Sequence, residues 1–132
     1  MYPVADLHCD LLAYLTRQKN ATLQDVDEIG AALPHLLAGG VCLQTLAIFT
    51  LTEAGSTEWG QAQIDQFVQL RYETELHPVQ KAATVEKLSQ REGKIGIVAA
   101  IENASGFCEE DEPLKLAFSR LENWIDRAGP IL

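Results

Sequence analysis

Uninterrupted apolar runs, rather than strict alternation, mark the strands of this chain. The opening run, residues 1–7, reads as a buried strand whose full span is residues 3–9. Residues 41–51 (VCLQTLAIFTL) and 94–101 (KIGIVAAI) are two further runs rich in β-formers. Between them the period changes to that of a helix. Leu11, Leu12, Tyr14 and Leu15 predict a short helix after the first strand, followed by a polar surface excursion over residues 16–30. Residues 31–38 predict a second short helix, with Pro34 in the first turn, where a missing N–H costs little, and Gly39-Gly40 as its stop. Residues 55–76 carry Ile64, Phe67, Val68 and Tyr72 at helical spacing, with Pro78 as the interruption. A helix over 82–91 ends at Gly93, and the segment 114–127 places Leu114, Ala117, Phe118, Leu121 and Ile125 on one helical face. Continuous apolar strands separated by helices predict an α/β fold with a parallel sheet covered on both sides.

Composition narrows the class. One domain is the most that 132 residues form, and 47% apolar with 22% charged residues is ordinary for a globular protein. The net charge of −9 argues against nucleic acid or an anionic membrane surface as a partner. Three cysteines (Cys9, Cys42 and Cys108) are odd in number, far apart and set in apolar sequence, so they read as buried thiols of a reducing compartment. With no signal peptide before the first strand and no membrane-length apolar stretch, the expected location is cytoplasmic.

The chemistry gathers at strand ends. In Asp6-Leu7-His8-Cys9-Asp10, alternate residues of a strand share a face, so His8 and Asp10 project together and Cys9 turns the other way. An imidazole and a carboxylate one strand-step apart can chelate a divalent ion, and zinc accepts both ligand types. The structural alternative is that Asp10 caps the helix beginning at Leu11 and His8 is merely polar. Glu102 ends the third strand as His8 and Asp10 end the first, and in parallel α/β proteins strand C-termini build active sites. A carboxylate after a run as apolar as 97–101 must face a partner, a metal or water. Alternatively, Glu102 or Asn103 simply caps a turn.

Three motifs together resemble the membrane (renal-type) dipeptidases, peptidase family M19: Asp6-Leu7-His8-Cys9-Asp10, Gly39-Gly40-Val41-Cys42-Leu43-Gln44, and Gly93-Lys94-Ile95 continuing to Ala100-Ile101-Glu102-Asn103-Ala104. The resemblance extends to Ala128-Gly129-Pro130-Ile131-Leu132, which is similar to the approach to that family's fourth strand. It implies a TIM-barrel fold, a site of two zinc ions and hydrolysis of dipeptides. His8 and Asp10 match ligands of one zinc, and Glu102 matches the carboxylate that bridges both metals and helps hold the nucleophilic hydroxide. The remaining ligands of the family are histidines on later strands. His35 and His77, the only other histidines here, fall where outer-layer or bottom loops are expected and read as surface or packing residues. This chain therefore offers ligands for at most one zinc. The family often has Gly after the bridging Glu, where this chain has Asn103.

Size points the same way. A closed (β/α)8 barrel takes about 250 residues, whereas this chain supplies three strands and, at Pro130-Ile131-Leu132, the start of a fourth. The expectation is an incomplete TIM barrel: residues 1–132 as a single unit, the N-terminal part of a barrel peptidase, inactive alone. Its open sheet edges would invite pairing with another chain or a second copy. Two other readings stand beside the zinc dipeptidase. One is another barrel-type metal-dependent amide or ester hydrolase, although many of those carry His-x-His on the first strand. The other is a non-enzymatic α/β binding module in which His8 and Glu102 are structural.

Overall fold

The run of β-branched and aliphatic residues from Val41 forms the strand around which the sheet is built. In the computed structural model, which describes residues 2–90 and 93–132, the elements run as follows: β1 (Val4–Cys9), α1 (Leu11–Arg17), α2 (Leu33–Ala38), β2 (Val41–Ile48), α3 (Ser56–Leu70), β3 (Leu76–Pro78), α4 (Ala82–Ser89), β4 (Ile95–Ile101), a 3-10 turn (Ala104–Gly106) and α5 (Leu114–Ala128). The four strands form one all-parallel sheet in the order β1-β2-β4-β3. β2 and β4 pair without a break from Leu43↔Gly96 to Ile48↔Ile101.

The two faces of the sheet are dressed differently. Leu46, Ile48, Ile95, Ile97 and Ala99 point into one apolar core with Leu12 of α1, Leu36 of α2, Phe67 of α3 and Trp124 of α5. The alternate residues (Thr45 and Ala47 of β2, Gly96, Val98 and Ala100 of β4) take the opposite face by the period of two. There α4 packs at the lower end, where a Cβ on Gly96 would stand 3.1 Å from Leu88 Cδ1 and 2.8 Å from Val79 Cγ2. Helices therefore line one face, with α4 alone against the foot of the other among the described residues, rather than covering both. That is a partial TIM-barrel-like layering, with helices outside and strand ends free at the top.

Packing among the helices is tight. Trp124 is fully buried, donates from Nε1 to Gln61 Oε1 at 2.8 Å and meets the Phe107 ring edge-on at a 6.4 Å centroid distance. The loop ahead of α5 is held by Arg120, whose two terminal nitrogens donate to the two Glu112 oxygens at 2.7 and 2.8 Å and which also donates to the Phe107 carbonyl.

Other expectations change as well. The opening strand is not buried: β1 is an edge strand with Val4 and Leu7 exposed, because nothing among the described residues packs on its outer side. The helix expected over 55–76 stops at Leu70, and Leu76–Pro78, taken as a break, is β3, so the sheet has four strands and not three. Proline fits there because Glu75 C=O and Val79 N–H face β4, bonding Ile95 N–H and Ile97 C=O, so the Pro78 nitrogen lies on the outward side. His77 thus sits in a strand paired with Gly96, and not in a loop. On α5 the buried face is Ala117, Trp124 and Ala128, while Leu114, Phe118 and Ile125 are exposed. The apolar stripe is real, but much of it has no partner element within these residues.

The other strands and helices lie within a few residues of their expected spans. Met1 of the opening strand and the Arg91 end of the fourth helix lie outside the described residues. The last residues begin a strand as expected: Ile131 bridges Ala99 in parallel, Leu132 N–H donates to Ala99 O at 2.9 Å, and Ile101 N–H donates to Leu132 O at 2.8 Å.

Candidate metal centre

His8, Asp10 and Glu102 arrive at one place from two strands that are not neighbours. β1 delivers the first two. Its register with β2 is regular neither below Ala5 nor between Asp6 and Cys9, so the strand end departs from a flat ladder. Asp6 Oδ1 accepts the His8 backbone N–H at 3.1 Å and fixes this departure. Cys9 packs into the helix-side core and burial pushes its thiol up to about 11, which leaves it an inert neighbour on the far face. β4 delivers Glu102, one residue past the final pair Ile48↔Ile101, with its N–H donated to Ile48 O at 3.2 Å.

His8 Nε2 lies 3.7 Å from Asp10 Oδ1 and 3.9 Å from Glu102 Oε2, and the three side chains are 57, 62 and 43% exposed. All three ligand atoms fall within 4.8 Å of one another. At these distances the imidazole makes no hydrogen bond to either carboxylate. The three groups converge on a point without bonding one another, and they are open to solvent. Metal–ligand bonds of about 2.0–2.1 Å in a tetrahedral shell put ligand atoms roughly 3.3 Å apart. The His8–Asp10 and His8–Glu102 separations, 3.7 and 3.9 Å, exceed that by roughly half an ångström, and all three ligand atoms lie within 4.8 Å of one another, so a bound ion would draw the exposed carboxylates inward by side-chain rotation. One imidazole with two carboxylates is a donor set that balances a divalent charge, so the residues fit a metal ion.

The capping alternative for Asp10 fails on geometry. Asp10 stands at the N-cap position of α1, but its side chain makes no cap hydrogen bond and only its carbonyl enters the helix, accepting from Tyr14 N–H at 3.0 Å. Asn103 likewise precedes the 3-10 turn without capping it. Its amide reaches across to Thr50, donating to the Thr50 carbonyl at 2.6 Å, with the Thr50 N–H and hydroxyl each 3.4 Å from Asn103 Oδ1. Gln63, fully buried on α3, does the same for the preceding residue, accepting from Phe49 N–H at 3.1 Å and donating to Phe49 O at 2.7 Å. Neither amide was readable from the sequence, since each acts across many residues with no local pattern. Among the described residues, His35 and His77 are not part of the cluster.

A parallel βα sheet with helices on its outer face and a His–Asp–Glu cluster at the strand C-termini defines a partial TIM-barrel-like metal hydrolase. The model of the membrane dipeptidase family (peptidase family M19) matches residues 1–120 of the 132, and the chain belongs to that family of metal-dependent peptidases. No curated protein matches the chain. No helix among the described residues is long and apolar enough to cross a membrane.

Proposed function

We propose that this chain carries the first-strand and third-motif ligands of a zinc-dependent dipeptidase centre, in which His8 and Asp10 bind one ion and Glu102 bridges to a second. The convergence of those three side chains at the open end of the sheet supports this reading above all else. Zinc is favoured because mixed imidazole and carboxylate ligation suits it. Bound at such a site, divalent metal supplies Lewis acidity toward a carbonyl oxygen and makes a nucleophile available from water at neutral pH. The chain's own part is to hold the donors. His8 presents Nε2 from the strand end, Asp10 brings a carboxylate that α1 does not consume, and Glu102 projects from a backbone held to β2. Their exposure leaves room for a dipeptide amide to approach. In a two-ion centre Glu102 would supply the carboxylate shared between the ions.

Cobalt titration of the full 132-residue chain, read by visible absorption, tests the proposal. The chain is expected to bind one equivalent and to hydrolyse no dipeptide, because His35 and His77 lie outside the cluster and no second ligand set is assembled among the described residues. His8→Ala and Glu102→Gln should each lower affinity by about 100-fold or more, the scale of losing a ligand or one of its orienting partners. A chain that binds no cobalt, or whose variants bind as the parent does, would sink the metal reading and favour a binding module.

A further inference from the structure

The β2–β4 ladder does not stop where its backbone pairing stops. Glu102 N–H still bonds Ile48 O at 3.2 Å. One residue further, the Asn103 side chain takes over from the backbone. Its Nδ2 donates to Thr50 O at 2.6 Å, and its Oδ1 faces the Thr50 N–H at 3.4 Å, so one carboxamide grips both backbone groups of the residue opposite. Thr50 is itself 1% exposed, and its hydroxyl lies 2.9 Å from Ser105 Oγ. Ser56 Oγ at the start of α3 donates to Ser105 O at 2.7 Å, so the whole turn is tied to the helix layer.

We propose that Asn103 is a positioning residue for Glu102, its carboxamide clamping the turn so that the Glu102 carboxylate is aimed at His8. The proposal rests on the metal-centre reading and extends it to a residue that touches no ligand atom. Glu102 has one backbone hydrogen bond below and this clamp above. Its carboxylate stands at 3.9 Å from His8, with no hydrogen bond among the described residues to steer it. Its direction therefore follows from the backbone on either side, and Asn103 fixes one of those sides. Only an amide both donates to the Thr50 carbonyl and accepts from its N–H. Aspartate keeps the accepting half and sets an anion against the carbonyl.

The test compares cobalt affinity and cobalt absorption with the melting temperature of the metal-free protein. Asn103→Ala should weaken cobalt binding by about 10- to 100-fold, the usual cost of removing a group that orients a metal ligand, and should change the visible band shape. Asn103→Asp should weaken binding too, even though it adds negative charge beside the ion, and it provides the measurement if the alanine variant does not fold. Gln61→Ala, which removes the Trp124 partner elsewhere, should lower the melting temperature and leave cobalt affinity within about twofold of the parent. If the Asn103 variants melt lower but bind cobalt as the parent does with the same spectrum, Asn103 only stabilises the fold and the inference is overturned while the metal reading stands. If the parent chain binds no cobalt, both fall.

Discussion

Replacing Gly60 by alanine should destabilise this protein, against the ordinary preference of a helix. Gly60 lies inside α3, where alanine is usually favoured by about 1 kcal/mol. Here a Cβ would stand 2.1 Å from the Gly106 carbonyl oxygen and 2.8 Å from both the Gly106 carbonyl carbon and Trp124 Cη2. The first contact is with backbone, so no rotamer change relieves it. Either α3 or the 3-10 turn must move by about 1 Å to restore van der Waals separation. Overpacking of this kind costs about 1–3 kcal/mol and sometimes more, which outweighs the gain in propensity. The net expectation is a loss of about 2 kcal/mol. With a urea slope of about 1–3 kcal/mol per molar, the unfolding midpoint should fall by roughly 1 M. The displaced turn begins right after Asn103, so cobalt affinity should fall as well. A Gly60→Ala protein whose midpoint equals or exceeds the parent's would refute the close approach of α3 to that turn.

Acid should weaken the fold through three held carboxylates. Thr57 N–H and hydroxyl bonds hold Glu109 below its ordinary 4.5, the Arg120 guanidinium holds Glu112 below the same value, and Thr22 holds Asp25 below 3.8. Because each value is lowered on folding, their stabilisation is complete above those ordinary values and is lost as pH falls through the folded ones. Urea midpoints measured from pH 7 down to 3 should drop below about pH 4.5, and Glu112→Gln should flatten part of that slope; a flat profile contradicts it. At the alkaline end, the hydrogen bond to Asp25 raises the Tyr14 hydroxyl to about 12, so stability should be lost between 10 and 12, and Tyr14→Phe should remove that dependence. Ala47→Val, on the sheet face between the two ligand-bearing strand ends, should reduce cobalt affinity by about tenfold with a stability change of about 1–2 kcal/mol, measured by titration and urea unfolding; unchanged affinity counts against a need for short side chains there.

The triad was legible because its parts are local signals: a His-x-Asp pair ending one apolar run and a Glu ending another. Their meeting point needed only the parallel rule that strand ends share one rim. What escaped the sequence depended on neighbours far away in the chain. Leu76–Pro78 reads as a break because proline halts helices, yet on an edge its missing donor faces outward and costs nothing. Leu114, Phe118 and Ile125 share a stripe with Ala117, but which part of a stripe is buried depends on what is present to cover it. Helical period alone cannot choose Trp124 over Ile125. The first strand looked buried because its residues are apolar, whereas its exposure follows from having one neighbour only. The Asn103–Thr50 and Gln63–Phe49 pairs are amide-to-backbone bonds with no periodic signature at all.

Sheet order, more than ligand identity, explains why this site exists. β1 and β4 both flank β2, so at about 4.8 Å per strand their backbones stand roughly 10 Å apart. Side chains from both must cross over β2 to come within 3.9 Å. They can do so only where the intervening surface is low. On the core-facing side β2 and β4 carry Leu46, Ile48 and Ile97, which fill the space against the helices. On the opposite side, at the top of the ladder, Ala47 pairs with Ala100. By the period of two these alanines share the sheet face that His8 and Glu102 take, so their short side chains keep the surface between the two strand ends low, and a larger residue at either position would raise it. The same run that reads simply as apolar in sequence thus does two jobs by alternation, packing on one side and clearance on the other.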